Sequence, residues 1–575
     1  MKRLFSFALL MLLLWHADRV CAQTSFLPSP TDALCRAWVD SVMEKMNTRA
    51  KIGQLVVYTI TAEDSKRQRR LIRDAASKYR VGAILFGKGT AEEQAMLTNL
   101  AQREAQVPLL ITFDGEWGPG MRLEDMPHFP RNASLGCITD NRLLYDYGCE
   151  VARELQILGV HVNFAPDADV NTNPLNPIIN VRSFGDTPHL VAEKAVAYMR
   201  GLEAGGVLPV AKHFPGHGDT DVDSHLALPI LRYDRARLDS VELHPFRKLI
   251  DAGIGGIMVG HLQVQAFDAD GTTAASFSHN VVTELLRKEL GFKGLIFTDA
   301  LAMKGTSNVP QVTIKALLAG NDMVLIQPAT EKVMRELYEA VDNGTLPLSV
   351  VEERCRRVLT YKYMLGARRR PKPVQVSGIS YRMNTPEARE LATRLHTAAV
   401  TVIDKYGMLP LTPVDNQSIT VLSVGQGEDS LFVETLRRNS PVPIEHLSLT
   451  PADTTLVGRP FMEERLNRCS RLVVSVSGDV SERYTSYLAS LRLRAPVVYV
   501  YFTSYQAMQH MEPALQRATA VVLGHSSEPK VQEHVAHVLF ARASANGRLS
   551  MSIGSLYRAG EGTDIKLLPL PRLAH

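Results

Sequence analysis

The chain has 575 residues, 45% hydrophobic and 22% charged, an ordinary globular composition in a length that calls for more than one small domain. Lys+Arg 64 against Asp+Glu 60 leaves a formal charge of +4, and no basic run exceeds Arg368-Arg369-Arg370. A nucleic-acid surface and a polybasic membrane anchor are therefore not expected.

The first predicted element is an export signal. Lys2 and Arg3 precede an apolar stretch from Leu4 to Trp15, and Val20-Cys21-Ala22 supplies small residues of the kind a signal peptidase reads, so residues 1–22 are expected to be removed. The apolar run falls short of the roughly 20 residues that span a bilayer, so no integral membrane segment is expected in the mature chain. Arg19-Val20 replace the small residues that precede a lipidated cysteine. The remaining cysteines (Cys35, Cys137, Cys149, Cys355 and Cys469) are odd in number, widely spread and without a Cys-x-x-Cys pair, unlike a disulfide framework or a structural zinc site.

Short apolar, β-branched runs then alternate with amphipathic stretches. Strands are predicted at Gln54 to Ile60, Val81 to Phe86, Pro108 to Phe113, Val160 to Phe164, Val207 to Ala211, Gly256 to Val259, Gly294 to Phe297 and Asp322 to Ile326. Helices are predicted at Glu92 to Ala105, Asn141 to Leu158, Pro188 to Ala204, Asp234 to Ala252 and Asn280 to Leu290. This α/β pattern predicts a (β/α)8 TIM barrel over residues 23–366, with its active site at the carboxyl ends of the strands. Those ends carry Asp114-Gly115-Glu116, Asp167 and Asp169, Lys212-His213, His261, and Thr298-Asp299. Capping of the following helices would account for one or two of the acids, but not for Lys212 with two histidines.

Ala367 to Ser377 is charged and bears prolines, and a linker is expected over 367–394. A three-layer α/β/α sandwich is expected over 395–575, with strands at Ala398 to Ile403, Ser418 to Val424, Arg471 to Val476, Val497 to Phe502 and Ala520 to Leu523.

The densest polar segment runs from Lys212 to His225. His213 and His217 stand four apart, yet Pro215 and Gly216 between them oppose a helix presenting both to one metal. Asp219, Asp221 and Asp223 imitate a calcium loop, but Ser224 and Ile230 occupy the places of its glycine and its final glutamate. The chain has no Gly-x-Ser-x-Gly elbow and no phosphate-cradling Gly-x-x-x-x-Gly-Lys-Ser/Thr loop. Acid/base and carboxylate chemistry remains. Retaining glycoside hydrolysis needs a carboxylate nucleophile and a second titratable group, and Asp299, directly after the apolar strand Leu295-Ile296-Phe297, suits the first role.

KHFPGHGDTDVDSHLALP (Lys212 to Pro229) and LGFKGLIFTDAL (Leu290 to Leu301) resemble the family 3 glycoside hydrolases, in particular their β-N-acetylglucosaminidase branch. FDGEWGPGMRL (Phe113 to Leu123), NFAPDADVNTNP (Asn163 to Pro174) and NVRSFG (Asn180 to Gly185) add to the resemblance across the barrel. The second domain resembles the family's sandwich more weakly. The resemblance implies that Asp299 is the nucleophile and that His225, paired with Asp223, is the general acid/base. Imidazole suits that task because its unperturbed pKa is about 6.5 and a neighbouring carboxylate orients it. It further implies Lys212 and His213 as a hydroxyl-binding pair, Asp114 for the hydroxyls furthest from the reaction, and Arg122 and Arg182 as the arginines completing the sugar pocket. His217 is expected to shape the loop, and His261 to line the pocket without titrating. Trp117 stands where relatives carry glycine and suits either a stacking platform for a neighbouring sugar or rim packing.

The expectation is therefore an exported, retaining exo-β-N-acetylglucosaminidase acting on β-linked GlcNAc-containing glycans, such as peptidoglycan fragments, in a bacterial periplasm or exterior. Neither a metal nor an organic cofactor is expected. A β-glucosidase or β-glycoside phosphorylase of the same family, and a non-catalytic glycan-binding protein, are the alternatives.

Overall fold

The computed structural model describes residues 32–568 apart from 221–227, 269–272, 302–308, 328–329, 412–417, 426, 428, 451–452, 455–458, 479 and 510. The predicted signal segment 1–22 thus lies outside the described residues.

Eight parallel strands close a barrel: β1 Val56–Ala62, β2 Ala83–Gly89, β3 Leu110–Phe113, β4 Val162–Asn163, β5 Leu208–Phe214, β6 Gly256–Val259, β7 Leu295–Ala300 and β8 Met323–Ile326. Neighbours in sequence pair in space, and β1 closes on β8 with Val56 opposite Val324. The strands are continuous apolar runs because helices cover the outside while side chains fill the inside. Every residue of β3, β5, β6 and β8 is buried. The first polar residues on β5 are Lys212 and His213, at its carboxyl end.

Helix Asn141–Ile157 begins at Asp140, whose side chain accepts from the Arg142 N–H, and buries Leu144, Tyr147, Val151 and Leu155 along one face. It crosses helix Pro188–Ala204 where Gly148 meets Gly201. A Cβ on Gly148 would lie 2.9 Å from the Gly201 Cα, so the close crossing requires both glycines. That contact stacks Tyr147 on Tyr198 at 4.8 Å and aims the Tyr198 hydroxyl at the turn after β3.

The helix expected over Asp234 to Ala252 is two, Arg235–Ser240 and Leu243–Asp251. Pro245 has no N–H to continue a helix and is accommodated in a first turn, so a new helix starts just before it. At the break the Glu242 side chain turns back to Arg237 at 3.0 Å.

The second domain is built on a six-stranded sheet: β9 Thr401–Asp404, β10 Ile419–Gly425, β11 Ile444–Ser448, β12 Arg471–Ser477, β13 Val497–Phe502 and β14 Ala520–Leu523, in the order β9-β14-β13-β12-β10-β11. Only β9 is antiparallel to its neighbour. Alternate residues of β13 face opposite layers. Val498, Val500 and Phe502 pack with Val402, Phe432 and Val535, while Val497, Tyr499 and Tyr501 belong to an apolar cluster continuous with the barrel. Strand β11 escaped prediction because it is a half-exposed edge carrying Glu445 and His446, with no apolar run.

The segment 367–394, expected as linker, contains helix Ile379–Met383 and most of helix Pro386–Ala398. Thr385 caps the latter through the Ala388 N–H, and Pro386 at its first position is pre-set for a helix. Cys35, Cys137, Cys355 and Cys469 are buried thiols. Among the described residues no helix is long and apolar enough to cross a membrane.

Candidate active site

At the carboxyl ends of the barrel strands lies a cavity of about 450 Å³. Its wall brings together Asp114, Arg122, Arg182, Lys212, His213 and Asp299, six of the eight residues singled out from the sequence. The other two, Asp223 and His225, lie outside the described residues.

The turn after β3 is held from two sides. Asn163, at the end of β4, accepts from the Gly115 N–H at 3.0 Å and donates to the Gly115 carbonyl at 3.1 Å, and Tyr198 donates to the same carbonyl at 3.3 Å. This clasp sets Asp114 and Glu116 on either side of Lys212. The Lys212 ammonium stands 2.5 Å from Asp114 and 2.7 Å from Glu116, while Arg122 pairs with the other Asp114 oxygen. Arg182 grips Glu116 with Nε and Nη2 at 3.0 and 2.6 Å. Burial works to raise both acids, but the cations prevail. Lys212 and Arg122 hold Asp114 well below the carboxylate range, and Arg182 and Lys212 bring Glu116 down to about 2. Burial likewise opposes the charge on Lys212, but Asp114 and Glu116 outweigh it and raise its pKa.

His213 Nδ1 lies 2.7 Å from Asp169, and its Nε2 lies 3.2 Å from Arg182 Nη2. A guanidinium only donates, so Nε2 is the acceptor and Nδ1 carries the hydrogen given to Asp169. Asp169 also accepts from the His217 N–H at 2.7 Å and the His213 N–H at 3.3 Å. Neighbouring Asp167 is driven well above the usual carboxylate range by burial and by the charges of Asp169 and Glu116. Asp167, Asp169 and His213 are the one group among the described residues whose donor atoms, all within 4.8 Å, could hold a metal ion. The bonds that Asp169 makes to His213 and to two backbone N–H groups account for their closeness, as a carboxylate–imidazole pair orienting the ring.

Asp299 leaves the end of β7 beside the buried Thr298, and its Oδ1 accepts from the Ala300 N–H at 2.7 Å. Burial disfavours its charge, yet His213, His261 and that N–H hold it below the ordinary carboxylate value, so it is ionised at neutral pH. His261 does not line the cavity as expected. It stands behind the wall, bonded to the Ser276 hydroxyl at 2.7 Å and to the Ala300 carbonyl at 3.1 Å. His217 does border the cavity, with Nδ1 2.8 Å from the Thr220 hydroxyl, and burial pushes its imidazole down to about 4. Trp117 is not on the wall. Its ring packs against the Arg131 guanidinium at 5.5 Å.

Sequence reasoning noted Glu116 and Asp169 as strand-end acids without assigning them roles, and it missed Asn163. Asn163 directly precedes the β4 exit, and its place in a barrel strand beside the Asp-Gly-Glu turn is the signal that could have found it. The assembled site sets an ionised carboxylate at a strand end in one cavity with the cations Arg122, Arg182 and Lys212 and the acceptors Asp114 and His213.

The model of the glycosyl hydrolase family 3 N-terminal domain matches residues 47–361. The chain is 35% identical over 387 residues to beta-hexosaminidase A of Pseudoalteromonas piscicida, a match spanning 61% of this chain and 64% of that protein. It is 37% identical over 284 residues to a beta-hexosaminidase of Nitrosomonas eutropha, spanning 46% of this chain and 80% of that one. Among solved structures, a glycoside hydrolase family 3 beta-N-acetylglucosaminidase from Paenibacillus superposes with a TM-score of 0.71 at 27% identity, covering 88% of this chain and 99% of the other.

Proposed function

The chain belongs to glycoside hydrolase family 3, and from that premise we propose that it is a retaining exo-β-N-acetylglucosaminidase that removes terminal β-linked GlcNAc, with peptidoglycan fragments as the natural glycan. The observation that carries this reading is the placement of ionised Asp299 on one wall with Asp114, Arg122, Arg182, Lys212 and His213. In the first step the Asp299 carboxylate attacks the anomeric carbon as the bond to the leaving oxygen breaks, and His225, oriented by Asp223, gives its proton to that oxygen. In the second, water attacks the glycosyl-Asp ester, His225 takes back a proton, and the sugar leaves with retained configuration. Lys212 and His213 bind hydroxyls as a pair, Asp114 takes the hydroxyls furthest from the reaction, and Arg122 and Arg182 complete the sugar pocket.

The names of the relatives support the sugar assignment, and the pattern of residues 1–22 supports export to a bacterial periplasm or exterior. The test is product analysis after incubation with defined muropeptides and chitobiose, alongside aryl glycosides of GlcNAc and glucose with and without phosphate. Free GlcNAc released from muropeptides is the expected outcome. A preference for glucose, or a sugar phosphate formed when phosphate is present, overturns it.

A further inference from the structure

The loop that carries Arg182 is built against the second domain. Asn180–Arg182 is a single helical turn, and Asn180 has a left-handed backbone at φ 38°, a conformation held in place by its surroundings. The Arg182 carbonyl accepts from Asn132 Nδ2 at 2.6 Å, tying it to the short helix Asn132–Gly136. Residues 549–552 of the second domain close over both. The Ser550 hydroxyl donates to the Ala133 carbonyl at 2.6 Å, and the Ser550 carbonyl accepts from the Asp186 N–H at 3.1 Å. The Ser552 N–H and hydroxyl both donate to Asp186 Oδ2, at 2.7 and 2.8 Å.

At Gly185 and Gly136 the junction leaves no room for a side chain. A Cβ on Gly185 would lie 2.6 Å from the Ser550 carbonyl, and one on Gly136 would lie 1.8 Å from the Phe184 carbonyl and 2.8 Å from the Ser550 Cβ. The Ser550 edge therefore comes as close as backbone can to the loop whose other side presents Arg182 to Glu116. Buried Tyr505 completes the clamp by accepting from the Ser550 N–H at 3.1 Å.

We propose that the second domain positions Arg182 for sugar binding through the Ser550–Ser552 edge closed on Asp186. This rests on the placing of Arg182 in the sugar pocket. Asp186 and Ser552 are positioning residues, since neither borders the cavity. Bonding at Asp186 restrains the loop, and the restraint keeps the Arg182 fork on Glu116, spaced for the substrate rather than free to swing.

The test is a double-mutant cycle in the full chain, followed on whichever aryl glycoside the wild type hydrolyses, so that a wrong sugar assignment registers as the wild type's own preference. Asp186→Ala is expected to raise KM about fivefold or more with kcat little changed. The same substitution in an Arg182→Lys background is expected to change KM by less than about twofold, because the group being positioned is already lost. An unchanged KM in the wild-type background, or equal factors in both backgrounds, overturns the proposal. Should Asp186→Ala fail to fold, Ser552→Ala removes a single hydroxyl and carries the same cycle with a smaller shift. A crystal structure of Asp186→Ala with Arg182 still bonded twice to Glu116 overturns it independently of turnover.

Discussion

Glu116 has no exposed surface and holds two cations, so its substitution tests the site's electrostatics more directly than that of a group in contact with sugar. Glu116→Gln keeps the shape but leaves Lys212 and Arg182 buried together with less compensation. Breaking such a buried pair costs about 3 kcal/mol. A lower urea midpoint together with a raised KM is expected, and an unchanged midpoint would show the carboxylate to be dispensable. Asp299→Asn removes the charge of the proposed nucleophile and should lower kcat by about a thousandfold or more while sugar binding, measured calorimetrically, persists. His217, held at about 4, is already neutral near pH 7, so His217→Gln should leave the near-neutral limb of the pH–rate profile in place. His225→Gln should abolish that limb.

Two predictions belong to elements. Gly148→Val puts side-chain atoms where the helix Pro188–Ala204 backbone already lies, and such overpacking costs about 2 kcal/mol or more. A fall in Tm is expected, together with weaker sugar binding as Tyr198 loses its aim at the β3 turn. At the foot of β4, His161 Nδ1 accepts from the Ile111 N–H at 3.1 Å, and burial holds its imidazole at about 4, below the usual value of about 6.5. Between those two values the unfolded chain binds the proton that the folded chain refuses. Stability from this group is therefore complete above about pH 6.5 and is lost as pH falls toward 4. His161→Gln removes this dependence, so the stability difference, wild type minus variant, should shrink by up to about 3 kcal/mol between pH 7 and pH 4 in urea titrations. A constant difference would mean that the ring titrates normally.

Across the whole molecule, one apolar cluster runs from the barrel strands through Tyr499, Tyr501, Leu549 and Met551 of the second domain. An interface of that kind couples the two units, unlike the polar, mobile contacts common between domains. A single calorimetric unfolding transition is expected for the full chain, and two resolved transitions would show that the domains unfold independently.

The barrel was legible in the sequence because burial on both faces makes each parallel strand a continuous apolar run, and a polar residue at its end then marks the mouth. Lys212, His213 and Asp299 were found in this way, and the motifs around them pointed to Asp114, Arg122 and Arg182. Roles for Glu116 and Asp169 were not legible. A carboxylate in a turn reads as a helix cap until folding brings its partner to it, and Arg182 lies 66 residues from Glu116. Edge strand β11 escaped for a related reason, since its weak local pattern was decided by pairing with β10, whereas the break before Pro245 was a local signal of the proline itself. By itself the sequence determined the fold class and the family and singled out candidate site residues, because these depend on periodicity and on short motifs. The tertiary structure alone decided which ions pair, which acids remain charged and how the second domain meets the Arg182 loop, because desolvation and Coulomb energies depend on distances that no single stretch of chain encodes.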